Sequence, residues 1–293
     1  MRRLPCGALA TPPSTLFPAQ RVPRLSRFQS TVSTRNEPTT ASLSPRWLSD
    51  LKTRVGKCIN FGISNEQTRE AGAILQEMGD DWRDLVAGSE GFLTGKGRWG
   101  LYRHQVAWGE MVQLRPVQYC ECRHVNNVTY NRWAESARVN WALNMAAMDA
   151  EHRGEWKALI APTGIGMILR SIRTDYKFPL VSPDRVTVLH KLRSKPKADT
   201  DHFILDVLIL SEVHRRIAAR CVEDIVVYDY QAAKKSSMKP FMVKKLQETF
   251  ALQEQAKERC GNKAVDLIKR VVALEKASWD RPDAKEDFGN ANP

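Results

Sequence analysis

The chain has 293 residues, 42% hydrophobic and 27% charged, which is ordinary for a soluble globular protein and enough for one substantial domain with extensions or two small ones. Its formal charge of +12 raises nucleic acid or a membrane surface as partners. Much of that charge lies near the start: Arg2, Arg3, Arg21, Arg24, Arg27 and Arg35 precede the first acid, Glu37. Without them about +6 remains, which weakens the case for nucleic acid.

Residues 1–45 carry Arg, Ser, Thr and Pro without apolar periodicity. The Arg-rich, acid-free composition reads as a mitochondrial transit peptide followed by a disordered linker, with processing near 27–31 and the matrix as destination. A disordered basic tail is the competing reading. No apolar run approaches the ~18 residues of a membrane span. The six cysteines are scattered, and Cys120 and Cys122 form a C-x-C without a second pair, so no metal site is expected. Free thiols suit a reducing matrix.

Residues 46–100 read as a helical N-terminal extension. Trp47, Leu48, Leu51, Val55 and Cys58 recur at helical spacing, and Ser64 with Gln67 forms a capping box for a second helix reaching about Val86. Glycines 88, 91, 95, 97 and 100 then break the chain. Strand character follows over 101–114. A helix from about Asn127 carries Tyr130, Trp133, Ala134, Ala137, Trp141 and Met145 on one buried face. Strands are predicted at 166–178, 185–194, 202–211 and 217–230, separated by turn-forming residues. Lys239-Pro240 precedes a charged helix over about 241–275, with Phe241, Leu246, Phe250 and Leu252 as its apolar side, inside a C-terminal segment 233–278. Residues 279–293 read as a disordered tail. A helix after the first strand, then four strands in a row, implies α+β with the sheet wrapped around one helix.

The chemistry concentrates at the start of the buried helix. Asn126 and Asn127 are good N-cap residues, and the N–H groups from Asn127 to Thr129 are candidate donors to a carbonyl oxygen that gains negative charge. His124 is a candidate base or donor. Alternatively, His124, Asn126 and Asn127 only build the turn. Glu135 lies further along the helix, either as a working carboxylate or paired with Arg138 at i, i+3. Arg132 and Arg138 are candidates for ligand phosphates, as are Arg170, Arg173, Lys177, Lys191 and Arg193 with less support.

The string His124-Val125-Asn126-Asn127, with Tyr130, Glu135, Ala137 and Arg138 following, resembles the signature of hot-dog-fold acyl-CoA thioesterases of the 4-hydroxybenzoyl-CoA thioesterase-like family. The resemblance covers 101–232, where residues 175–180, 182–186 and 226–230 also look like the family's strands. It implies a hot-dog fold, with an antiparallel sheet around a long central helix. It also implies acyl-CoA or acyl-carrier thioesters as substrates, no cofactor, and a homodimer or higher homo-oligomer. The N-terminal helices point to a fungal mitochondrial member. On this reading the buried aromatic helix with Phe178, Leu180 and Val186 lines an acyl slot or forms ordinary core.

One departure matters. Relatives normally place two Asp residues before His-Val-Asn-Asn, the second being the usual catalytic carboxylate. Here 119–123 is Tyr-Cys-Glu-Cys-Arg, while Trp108-Gly109-Glu110-Met111 looks like the motif's first half and has Val112 where the Asp belongs. Residues 112–122 therefore read as an insertion or a coding-sequence error. If the insertion is real, Glu110 or Glu121 must supply the carboxylate. The leading expectation is a mitochondrial hot-dog thioesterase; the alternative is a non-catalytic hot-dog interaction or assembly protein.

Overall fold

The computed structural model describes residues 43–107, 124–161 and 163–284, all within one compact unit spanning 38–293. The elements run α1 (Trp47–Asn60), α2 (Asn65–Asp80), α3 (Trp82–Val86), a 3-10 turn at Gly88–Glu90, β1 (Leu101–Gln105), α4 (Asn127–Met148), α5 (Arg153–Ala158), β2 (Ile165–Tyr176), β3 (Arg185–Leu192), β4 (His202–Ser211), β5 (Arg216–Asp229), β6 (Lys234–Lys235) and α6 (Pro240–Ala277). The sheet is antiparallel, ordered β1-β3-β4-β5-β2, with β6 extending β5. It curls around α4. This is the hot-dog α+β fold.

The period-2 pattern of the strands decides which face meets α4. On β4, Phe203, Leu205, Val207 and Ile209 point to the helix side, while Leu208 and Leu210 point to the other. Both faces are buried because two helical layers cover them. The first half of α4 packs through Tyr130, Trp133, Ala134 and Ala137 on Val186, Val188 and Val207. Its second half meets α5 and the start of α6 through Trp141, Met145, Trp156 and Met242.

The opposite face is covered by α1, α2, α3 and the later part of α6, through Leu51, Val55, Ile74, Leu85, Leu267 and Val271 against Leu189, Leu208 and Leu210. The helical N-terminal extension thus shares one core with the outer face of the sheet. Gln253 of α6 anchors this layer. Its buried carboxamide donates to the Leu192 carbonyl and accepts from the Leu192 N–H, both at 3.0 Å.

Local rules explain several boundaries. Ser64 accepts from the Gln67 N–H, and Gln67 accepts from the Ser64 N–H at 2.9 Å, which closes the capping box of α2. The predicted continuous helix to Val86 breaks at Asp81, whose φ of -102° and ψ of 15° leave helical geometry before α3 starts. Of the first predicted strand, only Leu101–Gln105 is strand among the described residues. The short helix α5 and strand β6 carried too few residues for periodicity to reveal them. Leu252, expected on the apolar side of α6, is 39% exposed, because that face turns toward Gln253, Ala256, Cys260 and Ala264. Trp279, at the start of the segment read as a tail, packs against the outer core, with the Lys57 Nζ 3.5 Å from its ring centroid.

Candidate functional site

The candidate site is built where α4 begins against the end of β2 and the segment that follows it. Val125 donates its N–H to the Leu180 carbonyl at 2.8 Å, and the Leu180 N–H donates to the Tyr130 hydroxyl at 3.1 Å. The Tyr176 hydroxyl donates to the Asn127 carbonyl at 3.1 Å, and Thr174 donates to Asn131 Oδ1 at 2.8 Å. These bonds clamp the first turn of α4 to β2. Burial pushes the Tyr130 phenol above its ordinary value, and the same holds for Tyr176, so both remain neutral hydrogen-bonding groups at neutral pH.

Asn126 is the N-cap: its side chain accepts from the Val128 N–H at 3.1 Å. The Thr129 N–H donates to the Asn126 carbonyl at 2.9 Å. Two of the three proposed carbonyl-polarising N–H groups are thus satisfied within the turn, and the Asn127 N–H is the remaining candidate. All three were candidate donors, but a helix start with a side-chain cap consumes its own early donors. Asn127 is exposed, and His124 is half-buried. Among the described residues no hydrogen bond links His124 to Asn126 or Asn127.

Glu135 is exposed and Arg138 is not its partner. Arg138 turns inward and binds Glu223 of β5 at 2.6 Å, with Glu223 fully buried. The predicted i, i+3 pair fails because position 138 faces the sheet while 135 faces out. His190 of β3 lies beside this pair, its Nε2 3.4 Å from Glu223 Oε2 without hydrogen-bond geometry. The weaker basic candidates are also engaged: Arg170 with Asp224, Arg173 with Asp175, Arg193 with Asp206, and Lys191 with the Glu90 carbonyl. Glu110, Glu121 and residues 112–122 lie outside the described residues.

An open groove of about 500 Å³ runs along α4. It passes from Val128, Asn131 and Arg132 at the helix start, past Glu135 and Arg138, to Trp141, Leu159, Met167 and Phe203. Its apolar end can take a hydrocarbon chain, and its polar end reaches Val128, the residue after Asn127 in the first turn of α4. Of the two readings of Phe178, Leu180 and Val186, acyl slot or ordinary core, the structure has the second: they do not border this groove and pack in the core around Tyr130. Sequence reasoning missed Glu223, His190 and Tyr176. The available signal was Glu223 itself, a carboxylate in the inward row Ala219, Cys221, Ile225, Val227 of β5.

Residues 102–246, which contain this groove and the whole sheet apart from Leu101, match the model of the Thioesterase-like superfamily. No curated protein matches the chain. Similar solved structures include a DHNA-CoA thioesterase from Staphylococcus aureus, at 14% identity over 52% of this chain and 90% of that one, with a TM-score of 0.38. A thioesterase from Thermus thermophilus, complexed with coenzyme A and Zn, is 14% identical over 48% of this chain and 92% of that one, with a TM-score of 0.34. The gentisyl-coenzyme A thioesterase BH1999 is 17% identical over 51% and 98%, with a TM-score of 0.36.

Proposed function

We propose that this chain hydrolyses acyl thioesters of coenzyme A or an acyl carrier, in the groove beside α4. The observation that carries the reading is that an apolar groove meets the start of the buried helix within the segment similar to the Thioesterase-like superfamily. The acyl chain would lie along Trp141, Met167 and Phe203. The thioester carbonyl would accept from the Asn127 N–H, where the positive end of the helix dipole stabilises the oxyanion. Water adds to the carbonyl carbon, and the thiol leaves after taking a proton. His124, Glu110 and Glu121 are the candidates to take the proton from water, and Glu135 stands on the groove wall. Arg132, exposed at the groove rim, is a candidate for carrier phosphates; Arg138 is already neutralised by Glu223.

Hydrolysis is to be measured against acyl chain length for wild type, His124→Ala, Glu110→Gln and Glu121→Gln. Turnover that depends on chain length and falls in one of these variants supports the assignment. No turnover above background at any length overturns the enzyme reading, and unchanged rates in all three variants overturn the residue roles alone.

A second reading, a non-catalytic assembly protein, is favoured by the self-satisfied cap, which leaves one oxyanion donor where three were candidates. We also propose a homo-oligomer. Among the described residues β2 ends the sheet, and its residues Leu169 and Tyr176 are 37% and 43% exposed, an edge suited to pairing with a second copy. The Arg-rich start supports a mitochondrial matrix location, which an import assay with and without residues 1–45 tests.

A further inference from the structure

A second cleft, of about 810 Å³, opens on the opposite face of the sheet from α4. Its walls come from α1 and the residues before it, from α2 and α3, and from the β4–β5 turn. It combines two chemistries. Arg46, Lys52, Lys177, Arg215 and Arg216 line it, and none has a carboxylate within ion-pair distance among the described residues. Trp47, Leu75, Met78, Val86 and Ile217 supply apolar wall.

The nearby acids are committed elsewhere. Glu90 is held by Arg220 through two bonds of 2.5 and 2.7 Å, and Glu212 is held by Arg83 and Thr187. Arg216 is fixed in place: its guanidinium carbon lies 3.8 Å from the Phe178 ring centroid, and its Nε is buried without a hydrogen-bond partner. Burial, and then the neighbouring Arg46, lower its pKa, the sign expected of like charges gathered without a counter-ion. Holding uncompensated cations together is unfavourable, and a multiply charged anion would reverse that cost. The start of this chain is a poor occupant, because residues 1–36 carry six arginines and no acid.

We propose that this cleft binds a nucleoside diphosphate group, with the phosphates on Arg46, Lys52, Lys177 and Arg216 and the base against Trp47 and its apolar neighbours. The cleft volume falls within the ~300–1,000 Å³ usual for small-molecule sites. Two molecules carry this chemistry: a free nucleotide such as ADP, and coenzyme A. Where coenzyme A is the source, it binds here as a ligand separate from the substrate of the thioesterase reading, whose carrier phosphates meet Arg132 beside the α4 groove. Lys177 and Phe178 belong to the stretch that leaves β2 immediately after Tyr176, so an occupant here touches the segment that clamps α4.

The test is calorimetric titration of the full chain with ADP, coenzyme A, pantetheine and inorganic pyrophosphate, repeated with Arg216→Gln and with Lys52→Gln. ADP and coenzyme A binding alike identifies a site for the free nucleotide group, and binding of coenzyme A alone identifies the carrier in this cleft only where Arg216→Gln or Lys52→Gln weakens it. Either variant should weaken binding about tenfold, the loss of one charge-assisted bond. Lys52→Gln is the control should Arg216→Gln fail to fold, since Lys52 is exposed. Absence of binding by both ADP and coenzyme A at millimolar concentration overturns the proposal, as does unchanged affinity in a folded variant. Pyrophosphate binding as tightly as ADP overturns the nucleoside part. Hydrolysis of an acyl-pantetheine, which lacks the nucleotide, separates the two readings: turnover without nucleotide binding leaves the thioesterase standing and removes this site.

Discussion

Arg138 of α4 and Glu223 of β5 form a 2.6 Å ion pair between the central helix and the sheet, with the Glu223 side chain fully buried. The pair fixes the rotation of α4 about its axis: position 138 faces in, so 135 faces out toward the groove. A buried carboxylate left without its cation is strongly unfavourable. Arg138→Met should lower stability by about 3–5 kcal/mol. The double variant with Glu223→Leu should recover most of the loss. Urea denaturation of the single and double variants checks both outcomes. A double variant no more stable than the single would show that Glu223 is not the group penalised.

Gln253 replaces a missing strand at β3 by binding both backbone groups of Leu192. Gln253→Leu keeps the volume and removes both bonds. Two buried backbone groups then lack partners, at about 1–3 kcal/mol each. Chemical denaturation should show this loss, and amide exchange at Leu192 should quicken in the variant.

Gly100 passes so close to α4 that an added Cβ would lie 2.6 Å from the Ala137 Cβ and 2.8 Å from the Ala137 carbonyl oxygen. Asn140 and Asn144 hold this approach by donating at 2.8 Å to the carbonyls of Gly100 and Trp99. Gly100→Ala should therefore push β1 away from α4 and cost about 1–3 kcal/mol. Ala137→Gly should relieve only part of the strain, since the backbone contact remains. Melting temperatures of the two single variants and the double variant read this directly.

Burial, reinforced by Glu223 and Asp175, pushes the Cys221 thiol up to about 11 from 9.0, against the opposing Thr174 hydrogen bond. The unfolded chain loses this proton near pH 9 and the folded chain does not, so stability falls as pH rises from 9 to 11. A rise of that size amounts to about 3 kcal/mol. Cys221→Ala should show a shallower decline over that window. In the native protein Cys221 should also resist alkylation at about pH 8, where it stays protonated and buried.

Much of the fold could be read along the chain because local rules govern it. The alternation in β4 predicted 202–211, which matches His202–Ser211. The row of Tyr130, Trp133, Ala137 and Trp141 predicted a buried helix starting near Asn127, and the Ser64–Gln67 capping box formed as expected. Each of these depends on residues within a turn or two of one another.

Contacts between distant residues had no such trace. The sequence alone determined a helix that must be buried, a cap at its start, and a sheet able to wrap it, because side-chain period and capping are short-range. Tertiary structure alone decided that Arg138 meets Glu223, eighty-five residues away, instead of Glu135. It also decided that the cap uses two of its own donors, and that the N-terminal helices close the outer face of the sheet beside a cationic cleft. These outcomes follow from how α4 rotates and how α6 crosses, which are set by packing summed over the whole core.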